Sequence, residues 1–232
     1  MVVITNIERG KFVTENYSKF CIGSWEQYCK RWDIPLKVIT EDKFIHPKFS
    51  YLSVFDEVDS EKVICVDLDT IVHPQTPNLL ELFDKTFTVV KDVGIKEDKI
   101  ADRMVVGIDL FEKEFDSFKM DKSKYFNSGM LMMHRNQSKF LKECKNWVES
   151  NYSKIVEWTN NGGVGLDQIP FNWFVQKNNL NTEFLDLRYN RTSPMRKNRN
   201  IDDNFILHFR GTKSQRKADM IESVYKKLLK FQ

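Results

Sequence analysis

A chain of 232 residues with 41% hydrophobic and 30% charged residues has the balance of a folded domain, which excludes a disordered or collagen-like polypeptide. With 36 basic residues against 33 acidic ones the net charge is only +3, too even to call for nucleic acid as a partner. No apolar run approaches the about 20 residues that cross a bilayer, and Glu8 and Arg9 interrupt the first one, so neither an integral membrane segment nor a signal peptide is expected.

In chain order, residues 2–4 read as an opening strand, and 14–32 as a helix stopped by Asp33-Ile34-Pro35. A strand at 36–40, a helix at 47–58 and a fully apolar strand at 62–66 follow, then a short helix at 78–83 and a strand at 87–91. Residues 92–124 are charged and of poor periodicity, an irregular insert near the cleft. Beyond it stand a strand at 130–133, helices at 138–150 and 165–177, strands at 184–187 and 205–208, and an amphipathic helix at 218–231. Strand and helix alternate, which predicts an α/β fold with a mostly parallel sheet flanked by helices. Cys21, Cys29, Cys65 and Cys144 form no CxxC pair and read as reduced thiols of a cytoplasmic protein. The sequons at Asn16, Asn136, Asn151 and Asn190 read as by-products of an Asn-rich composition.

Ligands of open α/β sheets bind beyond the carboxyl ends of the strands. Asp67 and Asp69 stand at such an end, directly after Val63-Ile64-Cys65-Val66. Two carboxylates one residue apart can turn together towards one hard divalent cation, manganese or magnesium. The competing role is structural, an Asp that caps the turn after the strand. A haloacid-dehalogenase-like phosphohydrolase would use Asp67 as nucleophile and Asp202-Asp203 as its later acidic pair, although Ile71 stands where that class has Thr or Val.

The segment VICVDLDTIV (63–72) resembles the strand-then-DxD signature of GT-A nucleotide-sugar glycosyltransferases, above all family 8, the type of glycogenin and bacterial galactosyltransferases. Further segments stand in that family's order. YFNSGMLMM (125–133) resembles its FNSGV strand, GLDQIPFN (165–172) its DQD helix start, LDLRYN (185–190) its LP..YN segment and ILHFRGTK (206–213) its HFxGxxK ending. The resemblance runs from Val2 to Lys213 and implies a GT-A (Rossmann-like) fold, with 1–232 as one domain. It implies a metal-dependent enzyme that moves a hexose from a UDP-linked donor, of the UDP-glucose or UDP-galactose type, to a carbohydrate or glycoconjugate hydroxyl with retention.

Residue by residue, the resemblance implies Asp67, Asp69 and His208 as metal ligands, a set that suits manganese better than magnesium. It places Asp167 and Gln168 as the catalytic pair beneath the anomeric carbon, and Asn127 in the sugar pocket. Gly211 would let the backbone approach a phosphate, and Lys213 would neutralise the diphosphate. The ending here is one residue shorter than the family's and lacks its Pro-Trp, so Lys213, Arg210, Arg216 and Lys217 all stand as phosphate candidates. Thr5 and Asn6, with Phe12 or Tyr17 close behind, would hold and stack a uracil. Each has a bland alternative: a satisfied strand histidine, a solvated basic face, aromatics in the core. A non-catalytic nucleotide- or RNA-binding protein is the remaining rival. It rests on the basic run of Arg188, Arg191, Arg196, Lys197, Arg199, Arg210, Lys213, Arg216 and Lys217.

Overall fold

The computed structural model describes residues 1–5, 14–39, 45–92, 99–116, 118–192, 201–210 and 214–231. The first half runs β1 (Val2–Thr5), α1 (Lys19–Trp32), β2 (Leu36–Val38), α2 (Val54–Glu57), β3 (Lys62–Asp67), β4 (Thr70–Val72), β5 (Phe87–Lys91) and α3 (Lys99–Phe115). The second half runs β6 (Phe126–His134), α4 (Ser138–Asn160), α5 (Gln168–Lys177), β7 (Thr182–Leu185), β8 (Arg191–Thr192), β9 (Ile206–His208) and α6 (Gln215–Leu228). The main sheet has the order β2-β1-β3-β6-β5-β7, and β6 alone runs against its neighbours. A small sheet, β4-β9-β8, stands beside it.

Strand periodicity sorts the core. Along β3, Val63 and Cys65 join the cluster under α4 and α5, while Ile64 and Val66 join the one under α1 and α6. Along β6, Leu131 and Met133 go to the first and Met130 and Met132 to the second. Both faces are therefore covered, which explains why these strands read as unbroken apolar runs.

The expected alternation holds, with differences at the edges. The 92–124 segment is not all irregular, because α3 fills much of it and buries Ile108, Phe111 and Glu112. The expected helix at 47–58 splits into a 3-10 turn, Pro47–Ser53, and the short α2. β6 begins four residues earlier than expected, at Phe126, and α4 continues to Asn160. The four cysteines are buried and unpaired. Among the described residues no helix is long and apolar enough to cross a membrane.

Candidate active site

The sheet's polarity gathers the site. Thr5 ends β1 in register with Asp67, which ends β3. Because β6 runs the other way and pairs Met130 with Val66, its first residues, Asn127, Ser128 and Gly129, lie at that same edge. Asp92 follows β5 there, where Lys91 pairs with Phe126. His208 ends β9 opposite Thr70, the first residue of β4. The DxD is a turn between β3 and β4 with Leu68 buried, so its middle residue anchors it in the core. Thr70 Oγ1 donates to the Asp67 carbonyl at 2.6 Å, and Phe209 N–H donates to that of Asp69 at 2.9 Å, tying the turn to β9.

His208 Nε2 lies 3.6 Å from Asp67 Oδ2 and 3.2 Å from Asp69 Oδ1. Asp67, Asp69 and His208 can bring one ligand atom each to within 4.8 Å of one another, and they are the one such group among the described residues. Gly129 makes room for the ring, since a Cβ there would lie 2.2 Å from His208 Cε1.

A chain of buried amides fixes which nitrogen of His208 carries a proton. An ionised carboxylate only accepts, so Gln168 Nε2 donates to Asp92 Oδ2 at 2.8 Å. Gln168 Oε1 then accepts from Asn127 Nδ2 at 2.9 Å. Asn127 Oδ1 accepts from Asn190 Nδ2 and from Gly129 N–H, both at 2.9 Å. Asn190 Oδ1 is left facing His208 Nδ1 at 3.1 Å, which must donate. His208 therefore turns Nε2 towards the two carboxylates.

That arrangement asks for a positive charge. Two carboxylates and an imidazole lone pair repel one another unless a proton or a cation sits between them. Burial alone would push the imidazole down, but Asp69 and then Asp67 outweigh it and hold His208 above the ordinary histidine value. Burial would raise Asp69, yet His208 and then Lys217 bring its carboxyl down to about 2. Two hard oxygens and one imidazole nitrogen with its far side pinned are a donor set that could hold a divalent metal.

Two cations border the cluster. Lys217, in the first turn of α6, places Nζ 2.6 Å from Asp69 Oδ2, with its side chain 8% exposed. Arg210 Nη1 lies 3.2 Å from each oxygen of Asp92, whose side chain is 1% exposed. Asp167, just before α5, accepts from Ser128 Oγ at 2.8 Å. Burial raises its carboxyl above the ordinary value, with Lys48 and Ser128 opposing.

The structure thus brings together Asp67, Asp69, His208, Asn127, Asp167, Gln168 and Arg210. Asn6, Phe12, Gly211 and Lys213 lie outside the described residues. Thr5 has its backbone beside Asp67. Tyr17 is buried under the Lys217 ammonium, 5.3 Å from ring centre to Nζ, which makes it a core ring and not a stacking platform. Asp92, Asn190 and Gly129 join the site without having been singled out. Asp202, paired with Lys227 at 3.4 Å, is outside the metal-type cluster, which removes the acidic pair of a phosphohydrolase. The basic run is partly spent inside the chain: Arg188 on Asp186, Arg210 on Asp92 and Lys217 on Asp69.

The sequence model of glycosyl transferase family 8 matches residues 13–214, and the chain belongs to that family. It is a glycosyltransferase of GT-A fold. A glycosyltransferase involved in glycosylation of the major capsid of PBCV-1 superposes with a TM-score of 0.59, at 10% identity over 96% of this chain and 98% of that one. The galactosyltransferase LgtC, solved with donor and acceptor sugar analogs, gives 0.56, at 12% identity over 98% and 96%. The bifunctional glycosyltransferase WbbM gives 0.51, at 11% identity over all of this chain and 51% of that one. No curated protein sequence matches significantly.

Proposed function

We propose that the chain, as a single domain, transfers a hexose from a UDP-linked sugar to an acceptor hydroxyl with retention, using manganese held by Asp67, Asp69 and His208. The observation that carries this is the pinned Asp-Asp-His cluster at the carboxyl edge of the sheet. When bound there, the metal would stabilise the charge that develops on a departing diphosphate. Arg210, with Nε and Nη2 making no hydrogen bond among the described residues, supports that leaving group from the sugar side; Lys213 and Gly211 are its companions by family resemblance. Asp167, half-buried and close to Ser128, accepts from a sugar hydroxyl. Asn127 and Gln168 shape the pocket, and by family resemblance Thr5 and Asn6 would hold the uracil. The C1–O bond to the diphosphate breaks, the acceptor oxygen bonds C1, and the acceptor proton passes to a leaving phosphate oxygen.

Calorimetry and thermal shift with UDP, UDP-glucose and UDP-galactose, with and without manganese, test this reading. A true donor at 100 times its Kd should add about 2.7 kcal/mol of stability, and only with the metal. NMR of the product should show the anomer of the donor. A beryllofluoride adduct on Asp67, with hydrolysis of an aryl phosphate, would instead establish the phosphohydrolase.

A further inference from the structure

We infer that Lys217 is a fixed counter-charge of the metal centre, so that the site takes its cation together with a nucleoside diphosphate and holds the bare ion poorly. The inference rests on the reading of the cluster as the metal centre of a nucleotide-sugar enzyme.

Asp69 divides its two oxygens. Oδ1 faces His208 Nε2 at 3.2 Å, and Oδ2 is taken by the Lys217 ammonium at 2.6 Å. With one oxygen held by the lysine, Asp69 can offer a metal only the other. The lysine is not a surface cation that swings aside. Its side chain is 8% exposed, its ammonium lies over the Tyr17 ring, and Ala218, Ile221 and Val224 bury the helix that carries it. Ser214 caps that helix by accepting from Lys217 N–H at 3.2 Å.

The charge count follows. Asp67 and Asp69 are the two negative groups of the cluster, and Lys217 cancels one of them. A bare divalent cation would then leave the group with a net positive charge, in a place where its side chains are 4% to 17% exposed and water screens little. A nucleoside diphosphate carries the missing negative charge with it. The same ammonium that repels the naked ion attracts the metal-diphosphate complex. Lys217 touches Asp69 and acts through it, so it is a positioning residue for the metal and not a ligand.

The test is manganese binding itself, followed by EPR and calorimetry on the full chain, first without nucleotide and then with saturating UDP. Lys217→Met should bind bare manganese at least about tenfold more tightly than the parent, and UDP should increase manganese affinity by a correspondingly smaller factor. Lys217→Gln repeats the measurement should the Met variant fail to fold, and Lys217→Arg should behave as the parent does. Unchanged or weaker bare-manganese binding in the neutral variants overturns the inference and makes the lysine a prop for Asp69. If the parent takes up no manganese even with UDP, the metal-centre reading falls and this inference falls with it.

Discussion

Gly129→Ala should dismantle the proposed metal centre through a single methyl group. Gly129 has no positive φ, so the requirement for glycine is purely one of space. An added Cβ would lie 2.2 Å from His208 Cε1, 2.6 Å from Nδ1 and 2.9 Å from Asn127 Oδ1. Carbon atoms settle at about 3.5–4.0 Å, so the ring must retreat by about 1.3 Å or more. It has nowhere easy to go, being 3% exposed between Asn190 and the two carboxylates. Overpacking costs about 1–3 kcal/mol, and each buried hydrogen bond lost with it about 1 kcal/mol more. A total of about 3 kcal/mol lowers Tm by about 6–12 °C in a chain of this size. The larger effect falls on the metal. Displacing a ligand's hydrogen-bonded support alone costs about 10- to 100-fold in affinity, and here the ligand itself moves. Manganese titration with UDP present, alongside thermal melts, reads both. Ile155→Ala, a cavity in the opposite cluster worth about 2–5 kcal/mol, is the control that should leave manganese binding alone. If Gly129→Ala binds manganese within about threefold of the parent, the ring is not confined as described.

Asn190→Leu removes the only described acceptor for His208 Nδ1, so it should weaken manganese by about 10- to 100-fold with little change in fold. Imidazole 15N shifts should reveal a changed tautomer; an unchanged tautomer with unchanged affinity would disprove the amide relay. Asp167→Asn tests a carboxyl that burial raises above 3.8. Its ionisation disfavours the folded state, so parent and variant should differ least below pH 3.8, and the variant should gain relative stability as pH rises through the raised value. Urea unfolding between pH 4 and 7 should show that widening gap. The same variant should lose about 10- to 1000-fold in transfer with UDP affinity unchanged, and a pH-independent gap would remove the burial argument.

Local patterns pointed to Asp67, Asp69 and His208, which the structure brings together. An apolar strand that ends in Asp67-Leu68-Asp69, or in His208, declares its own terminus, and strand ends are where an α/β sheet keeps its chemistry. Asp92 announces nothing of the kind. Its place depends on β5 meeting β6 in the right register and on Arg210, 118 residues further on. Lys217 stood among several cations of one basic run, and only the docking of α6 decides that it reaches Asp69. Helix α3 turns Met104, Ile108, Phe111 and Phe115 inwards, but Glu112 is buried among them and Val106 and Leu110 face outwards. Burial on that helix departs from the binary pattern at those three positions, which blurs the period. Glu112 goes inward because Met120 N–H donates to it at 2.6 Å and Lys119 lies 2.9 Å away, partners that no helical periodicity reveals.

The valences left open at the site separate side chains that can touch a sugar from those that can only hold other side chains. Gln168 is largely committed to its neighbours: its nitrogen donates to Asp92, and its oxygen accepts from Asn127 and from Ser128 N–H. Asn127 has its oxygen filled by Asn190 and Gly129, and keeps one N–H. Asp92 accepts from Gln168 and Arg210 behind them. Asp167 is differently placed, half-buried with Ser128 on one oxygen and capacity on the other. Among the described residues Arg210 keeps the donors that Asp92 does not use. A hydroxyl that meets Asp167 must therefore donate, and a group that meets Asn127 or Arg210 must accept. On the proposed reading, Asp167 supplies the sugar contact, and Gln168 sets the positions of everything around it.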